Sequence, residues 1–85
     1  MSSDELSLLR LRVVADADPG ALARVLERFQ NLNVLPRKVT VDLCTNGVYH
    51  VEVDIFGMAE STLRIIAAKL GETPCIHTAR WHRAC

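Results

Sequence analysis

Lys38-Val39-Thr40-Val41-Asp42-Leu43, followed by Cys44-Thr45-Asn46-Gly47 and then Val48-Tyr49-His50-Val51-Glu52-Val53-Asp54-Ile55-Phe56, is the stretch on which the fold turns. Val39, Val41 and Leu43 alternate with Lys38, Thr40 and Asp42. Tyr49, Val51, Val53 and Ile55 alternate with His50, Glu52, Asp54 and Phe56. Period-two alternation of this kind marks strands with one buried face. Asn46-Gly47 invites a two-residue hairpin loop, but parity forbids it. Such a loop sets Leu43 opposite His50 and Val41 opposite Glu52, and opposed residues share a face, so apolar side chains would stand among charges. A three-residue loop, 45–47, with Gly47 left-handed in a G1 bulge, restores the match. Leu43 then faces Tyr49, Val41 faces Val51 and Val39 faces Val53. On the other face Asp42 meets His50, Thr40 meets Glu52 and Lys38 meets Asp54.

Upstream, Leu9, Leu11 and Val13 alternate with Arg10, Arg12 and Val14, a further strand. Asp18 suits a helix N-cap and Pro19 the first helical position. Leu22, Val25, Leu26 and Phe29 then recur at helical spacing as the expected core stripe, with Arg24, Glu27, Arg28 and Asn31 opposite. Asn31 and Asn33 mark the helix end, and Pro36 is expected at the start of the second strand, on a sheet edge where its missing N–H is tolerated. Downstream, Gly57 ends the hairpin's second strand. Leu63, Ile66, Ala67 and Leu70 form a second helical stripe that Gly71 stops. Residues 75–82 read as a last strand of undecided orientation: Ile76 and Thr78 argue for one face inward, Cys75, Ala79 and Trp81 for the other.

The order β-α-β-β-α-β, with two right-handed split β-α-β units, predicts an α+β ferredoxin-like sandwich. Its four-stranded antiparallel sheet has strand order 4-1-3-2 and both helices on one face. The open face then carries Arg10, Arg12, Lys38, Thr40, Asp42, His50, Glu52 and Asp54, with the arginines meeting Glu52 and Asp54 as solvated partners. One domain is expected over residues 6–82, with flexible termini at 1–5 and 83–85; His82 and Cys85 belong to the frayed end.

Eighty-five residues support one modest core, burying roughly 60–65% of the unfolded chain's surface. Apolar residues are 49% and charged residues 24% of the chain, values of a globular rather than a disordered sequence. Ten basic residues balance ten acidic ones, which removes bulk attraction for nucleic acid or an anionic membrane and one deterrent to self-association. No apolar run approaches the roughly 18 residues of a membrane span. The start Met1-Ser2-Ser3-Asp4-Glu5 is acidic where a signal peptide is basic, and a cytoplasmic location is expected. Cys44, Cys75 and Cys85 are read as free thiols of a reducing compartment.

The chemistry-bearing residues divide as follows. His50, His77, His82, Cys75 and Cys85 lack the convergence of a metal site, since five residues along a strand put His77 and His82 on opposite faces. The central strands lack the stacking aromatics of an RNA-binding sheet. Asp42 and His50 have no serine or cysteine nucleophile beside them. No enzyme, metal or cofactor is expected. What remains is the first turn, Asp16-Ala17-Asp18-Pro19-Gly20-Ala21-Leu22. Its free N–H groups and dipole suit a carboxylate, and Gly20 leaves room for a ligand or another backbone.

That turn, continued through Ala23-Arg24-Val25-Leu26 to Phe29 and a strand opening near Val34, resembles the ACT domain, a small amino-acid-sensing regulatory module. The resemblance spans about residues 8–80. Among ACT proteins the short chain is similar to the compact small regulatory subunits of acetolactate synthase. The resemblance implies side-by-side pairing into an eight-stranded sheet. It also implies an amino acid held between Asp16, Ala17, Asp18, Pro19, Gly20, Ala21 and Leu22 of one copy and Val34 and Leu35 of the other. Two positions depart from the family's polar ligand contacts, Ala17 and Leu35. The implied pocket is apolar, fit for a branched-chain side chain or for no ligand at all. The implied partners are a second copy, a small amino acid and a biosynthetic enzyme's catalytic subunit, with no nucleic acid and no membrane.

Overall fold

In a computed structural model describing residues 8–84, the chain forms β1 (Leu8–Asp16), α1 (Pro19–Asn31), β2 (Lys38–Leu43), β3 (Val48–Phe56), α2 (Glu60–Gly71) and β4 (Ile76–Arg83). The sheet order is β2-β3-β1-β4, every neighbouring pair antiparallel. This is the expected ferredoxin-like α+β sandwich. The expected tail 1–5 and Cys85 lie outside the described residues. At the other end β4 runs past the expected boundary at 82: His82 pairs with Arg10 and Arg83 with Leu9, and the Ala84 N–H donates to the Leu8 carbonyl.

The hairpin has the register that parity demanded, with Leu43 opposite Tyr49, Val41 opposite Val51 and Lys38 opposite Asp54. Gly47 has φ +81°. Its N–H donates to the Cys44 carbonyl at 3.1 Å, and the Cys44 N–H donates to the Val48 carbonyl at 2.9 Å. This is a turn closed by a left-handed bulge, a conformation in which glycine alone carries no Cβ penalty.

The core lies between the helices and the inward residues Leu9, Leu11, Val13, Ala15, Val51, Val53 and Ile55. Helix α2 buries the expected stripe, Leu63, Ile66, Ala67 and Leu70. Helix α1 departs from expectation. It buries Ala21, Val25 and Phe29, while Leu22 is half-buried and Leu26 is exposed. The helix is rolled so that Leu26 lies on the flank toward β2. At its end Asn33 is left-handed (φ 56°), its N–H donating to Gln30 and that of Val34 to Phe29. That is a Schellman cap with asparagine in the usual glycine place.

Three further expectations are corrected. Pro36 precedes β2, which opens at Lys38, so its missing N–H leaves the edge intact. In β4 the conflicting signals have a structural cause. Ala15 pairs with Ile76 but Val14 pairs with Thr78, which leaves His77 as an extra, bulged residue. The bulge flips the alternation, so Ile76 before it and Ala79 and Trp81 after it all contact the core. Asp54, expected to be solvated, is only 6% exposed. Arg10 grips it at two points, Nε to Oδ1 at 2.7 Å and Nη2 to Oδ2 at 3.1 Å. These hydrogen bonds hold the Asp54 carboxyl below its ordinary value against the opposing effect of burial, helped by the charges of Arg10, Lys38 and Arg37.

Candidate functional site

The turn from β1 into α1 is closed on its own chain. Asp18 is extended (φ −130°, ψ 130°) and caps the helix, its Oδ1 accepting the Gly20 N–H at 3.0 Å. The Ala21 N–H donates to the Asp18 carbonyl and the Asp18 N–H to the Asp16 carbonyl. Two more bonds tie the turn to the sheet: the Asp16 N–H donates to Cys75 at 2.9 Å and the Ala17 N–H to Gly47 at 3.1 Å. The amides of residues 16, 17, 18, 20 and 21 are thus all engaged, and Pro19 has none. The helix N-terminus, attractive for a carboxylate in sequence, already holds the carboxylate of Asp18.

Gly20 is exposed. A Cβ built there meets only the Asp18 carboxylate, at 3.6 Å, an ordinary contact. Ala17, Asp18 and Pro19 are exposed, whereas Ala21 is sealed in the core and presents nothing to a ligand. One polar neighbour escaped the sequence reading: His77 Nε2 lies 2.6 Å from Asp16 Oδ1. The bulge puts it there, and the only sequence sign of that bulge was the broken alternation of residues 75–81.

Val34 is half-buried against the core and Leu35 is 89% exposed. They follow the far end of α1, whose 13 residues span about 20 Å at 1.5 Å each. One chain therefore keeps the two groups of expected ligand-site residues apart. Beside Val34 and Leu35 an apolar groove of about 520 Å³ runs between Leu26, Pro36 and Val39. It continues the inner face of β2, where Val39, Val41 and Leu43 are all exposed. Among the described residues no three His, Cys, Asp or Glu side chains gather to hold a metal ion. No described helix is long and apolar enough to cross a membrane.

The ACT-like domain family matches residues 2–85. The chain belongs to that family. Its fold is shared with ACT domains of known structure. The ACT domain from GTP pyrophosphokinase of Chlorobium tepidum superposes with a TM-score of 0.72 at 16% identity, covering 88% of this chain and 96% of that one. The C-terminal domain of the MgtC protein from Mycobacterium tuberculosis gives 0.75 at 15% identity, covering 99% and 94%. A homoserine dehydrogenase from Thiobacillus denitrificans gives 0.74 at 13%, covering 98% of this chain but 19% of that one. At such identities the likeness is one of fold. No curated protein matches the sequence. ACT domains are typically regulatory, amino-acid-binding modules.

Proposed function

We propose that this ACT-like chain is a non-catalytic regulatory module that pairs with a second copy along β2. It binds a small apolar amino acid, of the branched-chain type, between Asp16–Leu22 of one copy and Val34–Leu35 of the other. The regulated partner is the catalytic subunit of an amino-acid biosynthetic enzyme, acetolactate synthase being the example the sequence resemblance implies. One observation carries the pairing: the β2 flank exposes Leu26, Leu35, Val39, Val41 and Leu43 together, a contiguous apolar surface of the kind that marks an interaction site. Pairing there is also the way to give the 16–22 turn a neighbour that its own chain holds a helix length away.

A second reading, a dimerisation module with a degenerate ligand site, is favoured by the turn itself, whose amides are engaged and whose helix end is self-capped. Thermal unfolding with a panel of amino acids, beside sedimentation, separates the two. Ligand at 100 times its dissociation constant adds about 2.7 kcal/mol, several degrees for this size. The effect should vanish in Gly20→Leu, where the new side chain takes the place proposed for the ligand beside the Asp18 cap. A dimer stabilised by no amino acid selects the second reading; a monomer at high concentration refutes both.

A further inference from the structure

The geometry points to an oxyanion-binding site on the open face of the sheet, the face opposite the one on which Val39, Val41 and Leu43 lie. In this face Arg12 of β1 stands directly opposite Arg80 of β4. Opposed residues on neighbouring strands bring their side chains together, and like charges so placed repel. Arg12 has a counter-ion on its other side, Glu52 Oε2 at 3.0 Å. That carboxylate is shared, since its other oxygen lies 3.6 Å from Arg10 Nε, and Asp54 is fully taken by Arg10. Three guanidinium groups therefore meet two carboxylates on β1, β3 and β4, and the uncompensated charge sits at Arg80. Arg80 forms no ion pair with any described residue.

The surface at this point is concave. A cleft of about 350 Å³ has Val14 and the neighbouring backbone as its floor, with Arg12, Arg80, Thr78, His50 and Glu52 around it. Val14 has neither charge nor hydrogen-bonding group, so the cleft has an apolar base beneath polar walls. The Arg80 guanidinium and the Thr78 hydroxyl, with the Arg12 donors that Glu52 leaves over, form a donor set for a tetrahedral or planar oxyanion, which guanidinium meets with paired N–H bonds. An anion there supplies the counter-charge that Arg80 does not find among the described residues. Phosphoryl and carboxylate groups share this chemistry, and either source satisfies the site.

The test is titration of ¹⁵N-labelled protein with inorganic phosphate in one arm and citrate in the other, ionic strength held constant with sodium chloride. Saturable amide shifts centred on Arg12, His50, Thr78 and Arg80 are expected in at least one arm. The arm that saturates at lower concentration identifies the oxyanion class. Arg80→Gln is expected to weaken binding about tenfold, the loss of a charge-assisted hydrogen bond; Arg64→Gln, on α2, leaves it unchanged. Linear, non-saturating shifts in both arms, or equal binding by Arg80→Gln, overturn the site.

Discussion

The two outer strands of the sheet end in opposite ways. At one edge β4 is finished: α2 lies against it, and Ile76, Ala79 and Trp81 all reach the core. At the other edge β2 is unfinished. Its inward-facing Val39, Val41 and Leu43 stay exposed, because α1 is rolled onto Ala21, Val25 and Phe29 and leaves Leu26 at its margin. The same alternating pattern thus has two meanings. In β4 it describes a strand covered by its own chain; in β2, a strand that its own chain leaves uncovered. A bare apolar edge strand templates association, and the proposed pairing rests on that edge.

Four changes probe that contrast. Trp81→Ala on the finished edge should have the largest effect, costing about 3 kcal/mol, the lower end for a core aromatic because Trp81 is only partly buried. Urea unfolding should report the loss while sedimentation reports an unchanged assembly state. Leu43→Lys on the unfinished edge should do the reverse. Assembly should weaken about thirtyfold, as for an interface residue of about 2 kcal/mol, with monomer stability moved by no more than about 0.5 kcal/mol. If Leu43→Lys leaves the oligomer intact, the β2 edge is not where copies meet.

Gly47→Ala comes third. At φ +81° a Cβ is strained by about 1 kcal/mol, and hydrogen exchange should rise in β2 before β4, since this turn leads into β2, an edge strand paired with β3 alone. The smallest effect is a pH dependence. Asp54 is held below its ordinary carboxyl value chiefly by Arg10. A depressed acid contributes stability that is fully present above its unfolded value, 3.8, and is lost as pH falls through the lower folded value. Acid unfolding of Asp54→Asn should therefore be shallower below about pH 4, and equally so in the Leu43→Lys background, because Asp54 serves the sheet and not the assembly.

Much of this was legible in the residues. Parity alone selected the 45–47 loop, because a one-residue slip moves every side chain to the other face. The α2 stripe was legible because all four of its apolar residues have a sheet beneath them. The α1 stripe was read one position too far, to Leu26, because helical spacing says which residues share a face and not how wide the covering surface is. In β4 the alternation broke at a bulge, and a bulge is not written in composition. The pairing of Asp54 with the β1 arginines was legible from the strand order, whereas its burial was not, because alternation places a residue on a face without saying how far its neighbours cover it. The turn's self-capping by Asp18 was half legible: the cap was expected, but its occupation of the anion-binding position was not drawn from it. The His77–Asp16 contact follows from the bulge and was missed with it.

The two bonds that tether the β1–α1 turn have a mechanical consequence. Asp16 is held by the entry to β4 and Ala17 by the carbonyl of Gly47 at the tip of the β2–β3 hairpin. The turn is thus a crossbar between the closed edge and the open one. A push on it, from a molecule settling against Pro19 and Gly20, is transmitted through Gly47 to the hairpin that carries β2. The rim opposite is braced by α2 and gives less. Load applied at this one corner is delivered to the side where a second subunit would feel it.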